Sequence, residues 1–350
     1  MDKVDIEALD AALRWYDAGY GVLLVTVVRT WGSSPRPVGA MLAIREDGCV
    51  TGSVSGGCIE DDLIARVQRE GIVQTRPEVL TYGIGAAEAH RFGLPCGGTL
   101  ELVLEPVGRP SALHALRAAI ACREPVVRRL EIASGHAELE AAGTSCGLSF
   151  DGRTLTTVHG PRYRMLVIGA GQLSAYLCRI AAGLDYEITV CDPRDTYSEA
   201  WTVQDTTLVR DMPDDVVIAM RLDASSAVIA LTHDPKLDDL ALMEALRTPA
   251  FYVGALGSRR NNAARRERLL EFDVSREQLA RLHGPAGLYI GSRTPPEIAL
   301  SILAELTAVR NGVTLPESWR IDVAKTEADG AQALRAMSDA GDGHATCAMR

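Results

Sequence analysis

The chain has 350 residues, of which 47% are apolar and 23% charged, and its net charge is −10. This length predicts two domains and a tail, and the apolar fraction is enough to build sizeable hydrophobic cores. The acidic balance argues against a nucleic acid or an anionic membrane as the main partner. No apolar run approaches the roughly 18 residues of a membrane span, and the acidic N-terminus lacks a signal-peptide core. We therefore expect a soluble cytoplasmic protein.

The N-terminal part predicts a mixed α+β domain. Apolar residues at helical spacing indicate an opening amphipathic helix, and a β-branched run at 21–30 indicates a strand. Asp47-Gly48 between two extended segments predicts a β-hairpin. Further strands are predicted at 78–82, 99–105, 126–132 and 153–158, with a helix at 111–120. We place the end of this domain at residue 158.

A turn of small residues, Ser55-Gly56-Gly57-Cys58, follows the hairpin and leads into a segment with helical spacing. Backbone N–H groups in such a turn favour an anion, and the positive end of the helix lowers the pKa of a nearby thiol. This combination suits a site that handles sulfur or lies beside a metal. The alternative is a tight turn with a small buried cysteine.

A second turn of the same kind contains Cys96, Gly97 and Gly98. Between the first strand and the hairpin, a loop rich in proline and glycine carries Arg36 as its one strong charge. The two turns and this loop therefore form the candidate site of the N-terminal domain.

The eight cysteines of the chain include no Cys-x-x-Cys pair. This spacing indicates reduced thiols rather than a disulfide framework, and it argues against a structural zinc site. Cys49, Cys178 and Cys191 fall within apolar strand or helix patterns. We expect these three in the core.

Residues 159–312 predict a Rossmann-like, doubly wound parallel-sheet domain. An apolar strand leads into Gly169-Ala-Gly171, a helix follows, and the next strand ends at Asp192 about twenty residues further on. Later strands are predicted at 227–231, 251–254 and 288–291. Gly-Ser-Arg follows the last two of these strands, where open α/β sheets bind ligands.

Two helices of this domain have clear start signals. Asp234 and Pro235 form an N-cap with proline at the first helical position, and Thr294 and Glu297 form a capping box for a helix at 295–310. Residues 313–350 are interpreted as a flexible C-terminal extension because their composition shifts to alanine, aspartate and glycine.

Taken together, the motifs resemble those of the XdhC/CoxI family, the accessory proteins of xanthine dehydrogenase and related molybdenum hydroxylases. The resemblance spans roughly residues 5 to 312 and rests on these segments: 32–39, 52–60 and 93–98 in the first domain, and 232–235, 252–259, 294–299 and Ala304-Glu305 in the second. Gln172 and the pair Ser292-Arg293 depart from the usual pattern, and all three lie at the expected ligand edge of the Rossmann domain.

The resemblance implies a chaperone for the molybdenum cofactor (molybdopterin) rather than a catalyst. Such a protein binds the cofactor, assists its sulfuration with a cysteine desulfurase and delivers it to an apo molybdenum hydroxylase; a homodimer is also implied. The candidate cofactor-binding residues are Arg36, Ser55, Gly56, Gly57, Cys58, Cys96, Gly97, Gly98, Gly169, Gly171, Asp192, His233 and Arg259. Cys58 and Cys96 are the candidates for sulfur handling and for a contact with molybdenum, which is thiophilic.

Two other functions remain open at this point. A nicotinamide-dependent oxidoreductase would bind a dinucleotide through Gly169, Gly171 and Asp192 and use His233 as acid or base. A two-domain scaffold would use its glycines only to make turns.

Overall fold

The structure, a computed structural model, describes residues 3–31, 36–83, 99–142 and 147–326, and for Cys58 the backbone only. Cys96, Gly97 and Gly98 lie outside the described residues. The chain divides into two compact units, Met1–Arg162 and Tyr163–Arg350. Within the part of the chain that the structure describes, no helix combines the length and the apolar character needed to cross a membrane.

The first unit is a mixed α+β structure. Its elements, in chain order, are α1 (Lys3–Asp17), β1 (Val22–Trp31), β2 (Met41–Arg45), β3 (Val50–Gly52), α2 (Cys58–Glu70), β4 (Glu78–Tyr82), β5 (Thr99–Pro106), α3 (Leu113–Ala121), β6 (Val126–Glu131), β7 (Ala137–Ala141), β8 (Ser149–Phe150) and β9 (Thr154–His159). The hairpin predicted at Asp47-Gly48 is confirmed, because β2 and β3 pair antiparallel on either side of it.

Two antiparallel sheets organise this unit, with strand orders β3-β2-β1-β5-β4 and β7-β6-β9-β8. Helix α2 packs on one face of the larger sheet through Ile59, Leu63 and Val67, and helices α1 and α3 pack on the other face. Because both faces of β1 are covered, its sequence is a continuous apolar run rather than an alternating one.

The second unit alternates strands and helices. Its elements are β10 (Arg164–Ile168), α4 (Gln172–Gly183), β11 (Glu187–Cys191), α5 (Asp195–Ser198), β12 (Thr206–Val209), α6 (Pro213–Met220), β13 (Ser226–Ala230), α7 (Pro235–Arg247), β14 (Tyr252–Ala255), α8 (Arg259–Glu271), α9 (Arg276–Ala280), β15 (Leu282–His283) and α10 (Pro295–Arg310). The six strands form one parallel sheet with the order β12-β11-β10-β13-β14-β15.

That order is the Rossmann order 3-2-1-4-5-6, so the predicted doubly wound domain is confirmed. One apolar cluster packs α6, α7 and α8 on one face of the sheet, and another packs α4 and α10 on the other face. The strand order reverses between β10 and β13, and the loops after these two strands therefore line the crevice where such folds bind ligands.

The predicted helix starts are confirmed. The side chain of Asp234 accepts a hydrogen bond from the Lys236 N–H at 3.0 Å, with Pro235 as the first residue of α7. Helix α10 spans the predicted residues, and Glu297 accepts the N–H of Thr294 at 3.0 Å.

Two expectations were wrong. The last strand of the parallel sheet is β15, not 288–291; Leu288 forms only an isolated bridge to Arg320. Cys49 is exposed in the β2–β3 hairpin instead of buried. The flexibility of the extension at 313–350 stays a prediction: within it, the carbonyl oxygen of Trp319 accepts the backbone N–H of Tyr289 at 2.8 Å, and residues 327–350 lie outside the described residues.

Candidate functional site

The turn between β3 and α2 comprises residues 53–57, and α2 begins at Cys58. Gly56 has a φ of +82°, a conformation that side chains with a Cβ rarely adopt, so glycine is needed there. Gly57, with a φ of 167° and a ψ of −102°, precedes the helix as its N-cap residue. Both glycines are exposed, whereas Ser55 is buried. The turn thus places the backbone of Cys58 at the positive end of a 13-residue helix.

The polar hydrogens of this turn converge on one side chain, the carboxylate of Glu60. Its Oε1 accepts the backbone N–H groups of Val54, Ser55 and Gly56 at 2.9, 2.8 and 2.9 Å, and the Ser53 hydroxyl at 2.8 Å. Its Oε2 accepts the Gly57 N–H at 2.9 Å and the Ser55 hydroxyl.

These hydrogen bonds keep Glu60 ionised although it is only 9% exposed. Burial would raise the pKa of this carboxyl, but the hydrogen bonds from Ser55, Gly57 and Gly56 outweigh that effect and lower the pKa to about 2. The turn does collect N–H groups around an anion, as the sequence predicts, but the anion is part of the protein. While Glu60 accepts these bonds, the N–H groups of Gly56 and Gly57 are not available to a ligand phosphate.

The sequence predicts no role for Glu60, although a glutamate three residues after the residue that caps a helix has the spacing of a capping box. That spacing does not reveal the path of the preceding chain. Only the folded structure shows that residues 53–57 surround the same carboxylate.

Arg36 lies next to this turn. Its Nε donates to the carbonyl oxygen of Ser53 at 3.3 Å, and its Nη2 lies 3.6 Å from Oδ1 of Asp5. Asp5 in turn accepts the backbone N–H of Met41 at 3.0 Å. The structure therefore brings Arg36 and Ser53, the first residue of the turn, together.

A cavity of about 260 Å³ lies within the first unit, lined in part by residues 37–41 of the Arg36 loop and by Arg128 and His159. Arg128 is buried and paired with Glu105 at 2.5 Å. Burial and the charge of Arg128 lower the pKa of His159 to about 3, so its imidazole is neutral at physiological pH. A paired arginine and a neutral histidine suit an uncharged polar group better than a phosphate.

In the Rossmann unit, the predicted glycine turn has the expected form. Gly169 has a φ of +104°, and a Cβ there would lie 2.8 Å from the side chain of Thr232 in the loop after β13. Gly171 caps helix α4, and Ser174, in place of the third glycine, is buried. The loops after β10 and β13 are thus in close contact at the crevice.

Asp192 is fully buried at the end of β11. Its Oδ2 accepts the backbone N–H of Ala170 and an Nη2 hydrogen of Arg194, both at 2.8 Å, and its Oδ1 accepts the Arg194 Nε–H at 2.9 Å. Burial opposes ionisation, yet these bonds lower its pKa. A ribose hydroxyl would have to displace Arg194 to reach this carboxylate.

His233 lies in the loop after β13 with a φ of +64°, and the residue is exposed. A buried network holds the loop, in which Asp238 accepts the N–H and hydroxyl of Thr232 at 3.1 and 2.7 Å and pairs with Arg265 at 3.1 Å. Within the described residues, no carboxylate hydrogen bonds to His233 to orient it as a general base would be oriented.

Arg259 is the first residue of α8. Its Nη1 donates to the hydroxyl of Thr326 at 2.8 Å, so its guanidinium is directed towards the chain after α10. It lines a surface groove together with Asp322 and Thr326.

The described cysteines separate into two classes. Cys178 and Cys191 are buried, and burial raises the pKa of each thiol to about 12, which makes them unreactive core residues as expected. Cys49 and Cys122 are exposed. Among the described residues, no group of three or more His, Cys, Asp or Glu side chains is arranged to hold a metal ion.

Comparison with known sequences and structures gives consistent matches in both units. The sequence model of the XdhC and CoxI family matches residues 15–83, and that of the XdhC Rossmann domain matches residues 165–306. The molybdenum cofactor insertion chaperone PaoD of Escherichia coli K12 is 29% identical over 293 residues, which cover 84% of this chain and 85% of PaoD.

A probable xanthine dehydrogenase subunit of Bacillus subtilis 168 is 25% identical over 320 residues, covering 84% of this chain and 94% of that protein. A crystal structure described as a xanthine dehydrogenase from Bacillus halodurans has the same fold, with a TM-score of 0.68 and 23% identity over 91% of this chain and 99% of that one. With one family match in each unit, together covering more than half of its length, the chain belongs to the XdhC and CoxI family.

Proposed function

We propose that this protein is a molybdenum cofactor chaperone that serves a molybdenum hydroxylase of the xanthine dehydrogenase type. The observation that carries the proposal is the similarity to PaoD, a molybdenum cofactor insertion chaperone, along 85% of the length of that protein. The similarity to a probable xanthine dehydrogenase subunit supports the class of client enzyme. The protein would bind the cofactor, assist its sulfuration together with a cysteine desulfurase and act as a homodimer.

In this proposal, Cys58 and Cys96 handle sulfur or contact molybdenum. Thiolates are the protein ligands that suit a thiophilic metal, and a cysteine at a helix N-terminus is well placed to become a thiolate. Arg36 supplies a cation beside the turn of Cys58 for a charged part of the cofactor. The predicted turn of Cys96, Gly97 and Gly98, which lies outside the described residues, would supply further backbone donors.

The remaining candidate contacts lie in the Rossmann unit. Gly171 at the start of α4 presents the N-terminus of a 12-residue helix, which favours an anion such as a phosphate of the cofactor or of a nucleotide. Gly169, His233 and Arg259 are proposed contacts around the same sheet edge. Asp192 would act indirectly, because its carboxylate holds the turn through Ala170.

The experiment that tests the proposal begins with purification of the protein from a molybdenum-replete host. Metal analysis and fluorescence of the oxidised pterin then measure the bound cofactor. Wild-type protein is expected to carry both, and Cys58→Ala and Cys96→Ala to carry several-fold less. Cys122→Ala is the matched control, because Cys122 is an exposed cysteine outside both motifs.

A second measurement follows activity of the client enzyme. Apo-hydroxylase mixed with loaded wild-type protein should gain activity, whereas the two cysteine variants should leave it inactive or unsulfurated. Absence of molybdenum and pterin from the wild-type protein would refute the chaperone proposal. Equal loading and equal sulfuration by all variants would remove the two thiols from the mechanism.

The oxidoreductase alternative finds no support in the described geometry. Arg194 and Ala170 donate hydrogen bonds to both carboxylate oxygens of Asp192, the group that would bind a ribose hydroxyl. His233 has no orienting carboxylate among the described residues. We therefore expect no saturable micromolar binding in a fluorescence titration with NADH or NADPH. Saturable binding of either would revive this alternative.

A further inference from the structure

The six hydrogen bonds to Glu60 exceed what a helix cap requires. Glu297, in the capping box of α10, is exposed and accepts two backbone N–H groups, from Arg293 and Thr294. Glu60 is buried and accepts four backbone N–H groups and two hydroxyls. Its carboxylate therefore organises the whole turn before Cys58 as well as the end of the helix.

We propose that Glu60 is the positioning residue for Cys58, a built-in anion that holds the 53–57 turn in its working conformation before any ligand arrives. This inference rests on the proposed role of Cys58 in sulfur handling. The inference gives the turn a different task from phosphate binding. The N–H and hydroxyl donors of the turn are used in hydrogen bonds to Glu60, and the turn fixes the position of the backbone of Cys58, which follows it. The cofactor phosphate is then bound by other groups, Arg36 among them.

The two carboxylate oxygens of Glu60 accept different numbers of hydrogen bonds, so the proposal can be tested at individual backbone amides. Oε1 accepts four donors and Oε2 accepts two, one of which is the Gly57 N–H next to Cys58. Glu60→Gln replaces one oxygen by an NH₂ group that cannot accept. The least costly placement of that group is at Oε2, where the Ser55 hydroxyl can rotate to accept and only the Gly57 N–H loses its partner.

Hydrogen exchange of the ¹⁵N-labelled full-length protein without cofactor provides the first readout. In Glu60→Gln, the Gly57 amide should exchange about tenfold to a hundredfold faster, as expected for loss of a hydrogen bond to a charged group. The Val54 and Ser55 amides should stay protected. In Glu60→Ala all four amides should exchange faster, and added acetate should restore protection by occupying the vacated position.

The second readout is the pH profile of Cys58 alkylation by iodoacetamide, with the modified peptide identified by mass spectrometry. Removing a negative charge from the turn should lower the apparent pKa of the Cys58 thiol and raise its alkylation rate at pH 7 severalfold. Looser packing alone would raise the rate at every pH without shifting the profile. Glu297→Gln is the matched control, and it should change neither Gly57 exchange nor the Cys58 profile.

Unchanged Gly57 exchange in Glu60→Gln, or an unchanged pH profile in both Glu60 variants, would overturn the proposal. So would the same changes in Glu297→Gln. All these measurements use protein without cofactor, so their outcome does not depend on whether the protein binds molybdopterin.

Discussion

The low pKa of Glu60 makes the stability of the first unit depend on pH in a way that can be calculated. The lowering from 4.5 to about 2 corresponds to about 3 kcal/mol of stabilisation at neutral pH. Because the folded-state pKa lies below the unfolded one, this contribution is complete above pH 4.5. It is lost progressively as the pH falls towards 2, where the folded protein also takes up the proton.

Glu60→Gln tests this pH dependence directly, because the glutamine side chain does not titrate and only one of its two terminal atoms can accept hydrogen bonds. At pH 7 the variant should lose about 2–3 kcal/mol of unfolding free energy in the first unit. The difference from wild type should shrink steadily between pH 4.5 and pH 3. Glu297→Gln, on an exposed cap, should cost about 1 kcal/mol or less.

Urea titrations followed by hydrogen-exchange mass spectrometry give the required resolution, because peptides from β1 and β5 report on the first unit alone. A Glu60→Gln variant as stable as wild type at pH 7 would refute the reasoning. So would a loss of stability that is equal at pH 7 and pH 3, because that would mean that the hydrogen bonds do not depend on the charge.

Three further predictions concern packing and thiol reactivity. Arg265→Met leaves the buried carboxylate of Asp238 without its cation, so urea denaturation of the second unit should show a loss of about 3–5 kcal/mol; a loss below 1 kcal/mol would contradict this. Gly169→Ala adds a Cβ at a φ of +104° against the loop after β13 and should cost about 1–3 kcal/mol in the same assay; wild-type stability would show that the turn can relax. In native protein, DTNB should modify Cys122 rapidly and Cys178 only after unfolding, because burial raises the pKa of the latter thiol to about 12; prompt modification of Cys178 would contradict the packing.

The Rossmann unit could be predicted from the sequence because its signals are local. An apolar strand, a glycine turn and a capped helix each occupy a few consecutive residues, and their order fixes the topology. Helix α10 could be predicted to the residue because proline, threonine and glutamate mark its start. A few consecutive residues are therefore enough to predict each of these elements.

What failed depends on contacts between distant segments. The apolar run at 288–291 has the composition of a strand, but Leu288 pairs with Arg320, and Ile290 is 52% exposed. Cys49 lies at the start of a predicted strand, next to Val50, yet the hairpin turns its position outwards. For Glu60, the residue types around it indicate an anion site, but only the folded turn shows that the site contains its own anion.

The contact between Asp192 and Ala170 has a consequence for motion in the Rossmann unit. Through one buried carboxylate, the loop after β10 is tied to the end of β11 and to Arg194, whose guanidinium lies 4.0 Å from the ring centre of Tyr197. Separating the loop after β10 from the end of β11 would expose the buried charge of Asp192. We therefore expect this loop and the segment of Arg194 and Tyr197 to open together, so that their backbone amides share one opening free energy in hydrogen exchange.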